Sequence, residues 1–181
     1  MARVDRDEEL FAFLDDLEHQ ARMLYDTERA SELADRSRSA YAEVTLVSRL
    51  MASLDLDLTL DLLGTGPVRG RLRRVGPDWC LLRAPAQDWV VRLAAVRAVE
   101  GAAARSLPEV AWSPVDRLGL ASALRRLSDA ATPCRLHTLD AAVVDGVLGR
   151  VGADFVEVSS GAERVLLVSR GAIAAVQSRA E

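Results

Sequence analysis

Residues Val68–Leu82 read VRGRLRRVGPDWCLL, and residues Val144–Val158 read VDGVLGRVGADFVEV. Placing Gly70 on Gly146, an offset of 76, sets Val68 on Val144, Leu72 on Leu148 and Arg74 on Arg150. Val75-Gly76 then falls on Val151-Gly152, Asp78 on Asp154, and Trp79 on Phe155. Trp89-Val90-Val91 meets Val165-Leu166-Leu167, and one residue of slip brings Val96 and Val99 onto Ile173 and Val176. Two copies fall short of the ~3 units a solenoid needs. They predict two copies of a compact module.

Each copy reads as short strands. LDLDLTLDLL (Leu54–Leu63) alternates, with Leu56, Leu58, Leu60 and Leu62 on one face and Asp55, Asp57, Thr59 and Asp61 on the other. That is the pattern of a half-buried strand. Gly64–Pro67 (GTGP) is a turn, because glycine tolerates positive φ and proline cannot continue a ladder. VRGRLRRV is the second strand, Trp79 and Phe155 open the third, WVVRL and RVLLV form the fourth, and AAVRAV and AIAAV a short fifth. A mid-strand glycine permits a sharp bend and a close approach of the opposite wall, so each copy is expected to be a five-stranded barrel.

A helix is expected before each barrel. Ser113-Pro114 is an N-cap followed by proline at the first helical position. Leu118, Leu120, Ala121, Leu124 and Leu127 then supply an apolar face. Before the first barrel, Leu33, Ser37, Ala40, Val44, Val47, Met51 and Leu54 step by 4 and 3, a heptad seam. Leu10, Leu14, Leu17, Ala21 and Leu24 step likewise but out of phase, which places a break near Asp26-Thr27. The expected fold class is α+β: an N-terminal helical hairpin or bent helix over 1–54, a first barrel over 55–101, a linker over 102–132 with a helix from about 114, and a second barrel over 133–177.

A helix followed by five strands, with V-x-G-x-L in the second strand and Arg-Gly after an apolar fourth, resembles the Sm-like (LSm) family of small SH3-like barrels. VDGVLGRVGADFVEV is similar to that family's first motif, and VLLVSRGAIAAV to its second, with Arg170-Gly171 at the Arg-Gly position. The first copy departs there, reading Arg92-Leu93-Ala94. The chain also resembles two-barrel proteins of GC-rich bacteria that carry an acidic helical front. The resemblance implies assembly by edge-strand pairing and RNA binding. The family's RNA pocket uses an asparagine, and this chain contains none.

Composition narrows the function classes. The 181 residues carry a net charge of −4, which predicts no general affinity for polyanions. Residues 1–57 hold 14 acids and 7 arginines; the remainder holds 13 acids and 16 arginines. Cys80 and Cys134 lie in apolar runs and read as buried thiols. No stretch approaches the roughly 20 apolar residues of a membrane helix, and no signal peptide is visible. A cytoplasmic location is expected.

Arg69, Arg71, Arg73 and Arg74 form the most conspicuous patch, a strip that could track phosphates. A turn centred on Thr65 makes opposed residue numbers sum to 130, setting Asp61 on Arg69, Thr59 on Arg71 and Asp57 on Arg73. That register neutralises the strip, at roughly 0.2–1 kcal/mol per pair. With Arg150, Arg170 and Gly171, the strip makes up the nucleic-acid candidates. The aspartates lack a calcium-loop pattern, and His19, His137 and the cysteines make no zinc pattern. His137 is expected to face Asp145. Ser159 and Ser160 lack a base, and with no lysine there is no phosphate loop. No metal, cofactor or small-molecule substrate is expected. The acidic run Asp5–Glu18 offers Leu10, Phe11, Phe13, Leu14, Leu17, Asp15 and Asp16 for docking a protein partner. The fourth strands, apolar on both faces, are expected to be covered within the fold or to meet another edge. The expected function is a non-enzymatic interaction or scaffold module that binds a protein partner or itself; the alternative is an RNA- or DNA-binding regulator.

Overall fold

The computed structural model describes residues 41–161 and 164–179, together with Leu17, His19, Arg22, Met23, Tyr25, Arg29, Glu32, Asp35, Arg36, Arg38 and Ser39. The chain divides into two compact units, residues 1–44 and 45–181. In the first, the described residues from Leu17 to Ala42 are helical, with an exposed Arg36–Glu32 ion pair of 3.5 Å and another between Arg38 and Asp35. The break expected near Asp26-Thr27 lies outside the described residues.

The heptad seam running to Leu54 does not form one helix. Val44 and Thr45 leave helical geometry, and Thr45 opens a new helix, α1 (Leu46–Met51). The cap is reciprocal: Ser48 N donates to Thr45 Oγ1, and Thr45 N donates to Ser48 Oγ, each at 3.1 Å. This local hydrogen bonding outweighs the apolar spacing on which the seam rests.

Ten strands follow: β1 (Asp57–Leu62), β2 (Gly66–Val75), β3 (Trp79–Ala84), β4 (Gln87–Arg92), β5 (Val96–Glu100), β6 (Pro133–Thr138), β7 (Val143–Val151), β8 (Phe155–Ser160), β9 (Arg164–Ser169) and β10 (Ile173–Arg179). They form one antiparallel sheet in the order β5-β1-β2-β3-β4-β10-β6-β7-β8-β9. This corrects the expected α+β fold. Neither the two closed Sm-like barrels, each preceded by a helix, nor the internal repeat behind them is borne out; the described residues of 45–181 form one open antiparallel sheet with two α-helices. The join is the β4–β10 ladder, from Val91 opposite Ala175 to Gln87 opposite Arg179.

Side chains explain the join. Val90 and Val91 are both buried and point to opposite faces, so β4 needs cover on each side. One apolar cluster holds Leu58, Leu60, Leu62, Leu72, Leu82 and Val91, and takes in Ala175 from β10. A second holds Leu124, Leu136, Val156, Val158, Ile173 and Val176, and takes in Trp79 and Val90 from β3 and β4. Each cluster thus borrows residues from across the join.

The β1–β2 register also differs from the expected one. Asp57 opposes Arg71, Thr59 opposes Arg69, and Leu62 opposes Gly66. The turn is tighter because Gly64 and Gly66 take φ of 72° and 84°. A shift of two residues keeps every side chain on its expected face.

Ser113-Pro114 does form a capping box with Asp116, but it caps a 3-10 turn, Pro114–Arg117. Helix α2 (Leu120–Asp129) starts later, at Gly119. Its cap comes from the β2–β3 turn, where Asp78 Oδ1 accepts from Leu120 N at 2.8 Å. Beside it, Trp79 Nε1 donates to Leu118 O at 2.8 Å. Leu120, Ala123 and Leu124 then pack into the second cluster.

Candidate functional site at the open sheet edge

An open sheet has two edges, here β5 and β9. Strand β9 reads Arg-Val-Leu-Leu-Val-Ser and, among the described residues, pairs only with β8, where Val158 opposes Leu166 and Glu157 opposes Leu167. Val165, Leu166 and Leu167 are 59%, 38% and 66% exposed. Strand β4, similar in composition, is paired on both sides and buries Val90 and Val91. The motif match set Val165 beside Trp89. The ladders do not keep that match: Leu82 opposes Trp89, whereas Val158 opposes Leu166 and not Val165. Consequently Leu166 and Val168 lie on the face of buried Val156 and Val158, while Val165 and Leu167 lie on the face of Glu157 and Ser159.

The β5 edge is built differently. Its pairing with β1 shifts at Asp61/Leu62, and Arg97, Ala98 and Glu100 are exposed. Arg97 holds Asp61 at 2.7 Å. A bulged, charged edge resists strand addition; a regular apolar edge invites it.

The nominated arginines are mostly engaged. Arg71 approaches Asp57 at 3.6 Å, and Arg73 pairs with Asp55. Arg150 holds both carboxylate oxygens of Glu157, at 3.1 and 2.8 Å, which depresses the Glu157 carboxyl below its usual range. Arg170 donates to Ala153 O in the β7–β8 turn, and its backbone N donates to Asp154 O at 2.8 Å. Gly171 O accepts from Arg92 Nη1 at 2.6 Å. Arg69 and Arg74 are exposed and have no ion-pair partner among the described residues. The strip is therefore neutralised at two of its four positions, with partners other than those expected.

The expected His137–Asp145 opposition is also corrected. His137 opposes Val143, and Asp145 opposes Arg135. Arg135 binds both Asp145 oxygens, at 2.7 and 3.1 Å, and lowers that carboxyl's pKa. The His137 ring lies 5.1 Å from that of Trp89, with Nε2 3.1 Å from Gln177 Oε1. These contacts span β4, β10 and β6, so only the unexpected strand join brings them together.

Cys80 is fully buried, which pushes its thiol up to about 12, and Cys134 is raised by the same desolvation. Both are free. Among the described residues, no group of His, Cys, Asp and Glu is arranged to hold a metal ion, and no helix is long and apolar enough to cross a membrane. Of the acidic-front candidates, Leu17 is described and 44% exposed; Leu10, Phe11, Phe13, Leu14, Asp15 and Asp16 lie outside the described residues. No protein-family model matches this chain, and no curated protein matches it.

Proposed function

We propose that this chain is a non-enzymatic protein-interaction module that takes up its partner by strand addition at β9. One observation carries the reading: a regular strand with three exposed apolar residues in a row ends an otherwise well-packed sheet. Backbone groups along such an edge supply affinity, and alternate side chains supply selectivity. The acidic front, with Leu17 exposed, is a second docking surface in this reading. A cytoplasmic setting belongs to it as well, because Cys80 and Cys134 are free thiols, the form a reducing compartment keeps. Engagement of Arg71, Arg73, Arg150 and Arg170 within the fold weighs against the nucleic-acid alternative.

The test is photo-crosslinking of the full chain in cells, with a photoreactive phenylalanine in place of Leu167 or, as a comparison, of Arg69. Protein adducts from position 167 are expected. No adduct there, or an RNA or DNA adduct from position 69 that disappears steeply with salt, overturns the reading.

A further inference from the structure

We infer that β9 pairs antiparallel with β9 of a second copy of this chain, about a two-fold axis at Leu166. This rests on the interaction reading above and names the partner. Residues directly opposed across an antiparallel pair point to the same face. A two-fold axis normal to the sheet must therefore fall on a residue, not between two. An axis at Leu166 sets Leu166 against its own copy and sets Val165 against Leu167 twice. Val165 and Leu167 are the two most exposed apolar residues of the strand, at 59% and 66%. Arg164 then opposes Val168, so the two guanidinium groups sit at opposite ends of the ladder. Apolar side chains meet on both faces, and no like charges are brought together.

The other free edge is a poorer match. Strand β5 carries a register shift and exposes Arg97 and Glu100. Pairing β9 with β5 of another copy also leaves one edge of each kind open and propagates, whereas pairing β9 with itself closes at two chains. Within one chain, β4 shows how an apolar strand of this composition is satisfied: it takes an antiparallel partner from Gln87 to Val91.

The full chain is examined by sedimentation equilibrium. The expected mass is twice 19.6 kDa, falling to 19.6 kDa for Leu167→Arg, while Ala98→Asp on β5 leaves the dimer intact. Circular dichroism checks the fold of each variant. A Leu166→Cys chain provides a second readout, independent of Leu167→Arg. Opposed Cα atoms lie about 4.5–5.5 Å apart in an antiparallel pair, within disulfide range, so mild oxidation is expected to give a covalent dimer. The native cysteines are buried and do not compete. A monomeric wild-type chain, a dimer abolished by Ala98→Asp but not by Leu167→Arg, or no disulfide at position 166 overturns the inference. A monomer that still gives protein adducts from position 167 overturns self-pairing alone and leaves the interaction reading standing.

Discussion

Gly146 lies on β7 directly against the β8 backbone. A Cβ there would lie 2.4 Å from Ser159 O and 2.8 Å from Val158 Cγ1. Backbone cannot yield cheaply, so Gly146→Ala is expected to destabilise by about 1–3 kcal/mol in denaturant titration. At Gly171 the same Cβ would meet only Ser169 Oγ, at 3.5 Å. Gly171→Ala is expected within about 0.5 kcal/mol of the native chain, which separates, of two glycines that both fall in motifs, the one that packing requires. The paired carboxylates give a pH prediction. Asp145 and Glu157 are held below the usual carboxylate range by Arg135 and Arg150. Their contribution is therefore present above that range and lost as pH falls through the depressed values. Asp145→Asn is expected to flatten part of the acid limb of a stability–pH curve while leaving its slope above neutrality unchanged; an unaltered acid limb contradicts this. The carboxylate partners follow from strand pairing and were within reach of the sequence once the register was known. Arg170 was not, because a guanidinium that holds a carbonyl leaves no complementary side chain to find.

Strands were the legible elements. Alternation from Asp57 to Leu62 marks β1 correctly, and Leu58, Leu60 and Leu62 are all buried. Register was less so, because a turn of glycines can shift the pairing by two residues without changing which side chains face inward. Helix starts were partly legible. Ser113-Pro114 does mark a start, but of a 3-10 turn, and α2 is capped by Asp78, 42 positions away. A cap delivered from another turn has no local signature. Asp78→Ala is expected to cost about 1 kcal/mol, together with faster exchange of the Leu120 amide, whereas Asp116→Ala, which affects the 3-10 turn alone, leaves that amide unchanged. Equal effects from the two substitutions contradict this assignment.

What the sequence concealed was closure. Whether β4 turns back to its own fifth strand or joins β10 depends on contacts between residues some 85 positions apart, made by valines and alanines that would suit either arrangement. The join links both apolar clusters, since Ala175 belongs to the first and Trp79 and Val90 to the second. Residues 45–181 are accordingly expected to unfold in one cooperative step, with tryptophan fluorescence and circular dichroism coincident; two resolved transitions contradict a shared core. Val90→Asp, which places a charge in the second cluster, is expected to weaken that single transition by several kcal/mol, about 3 or more. The most direct measurement is the set of cross-strand nuclear Overhauser effects in the Leu167→Arg chain. One continuous sheet predicts backbone contacts between Val90 and Val176 and between Val91 and Ala175. Contacts from β4 to β5 and from β9 to β10, with none between β4 and β10, would restore two closed barrels and contradict the account.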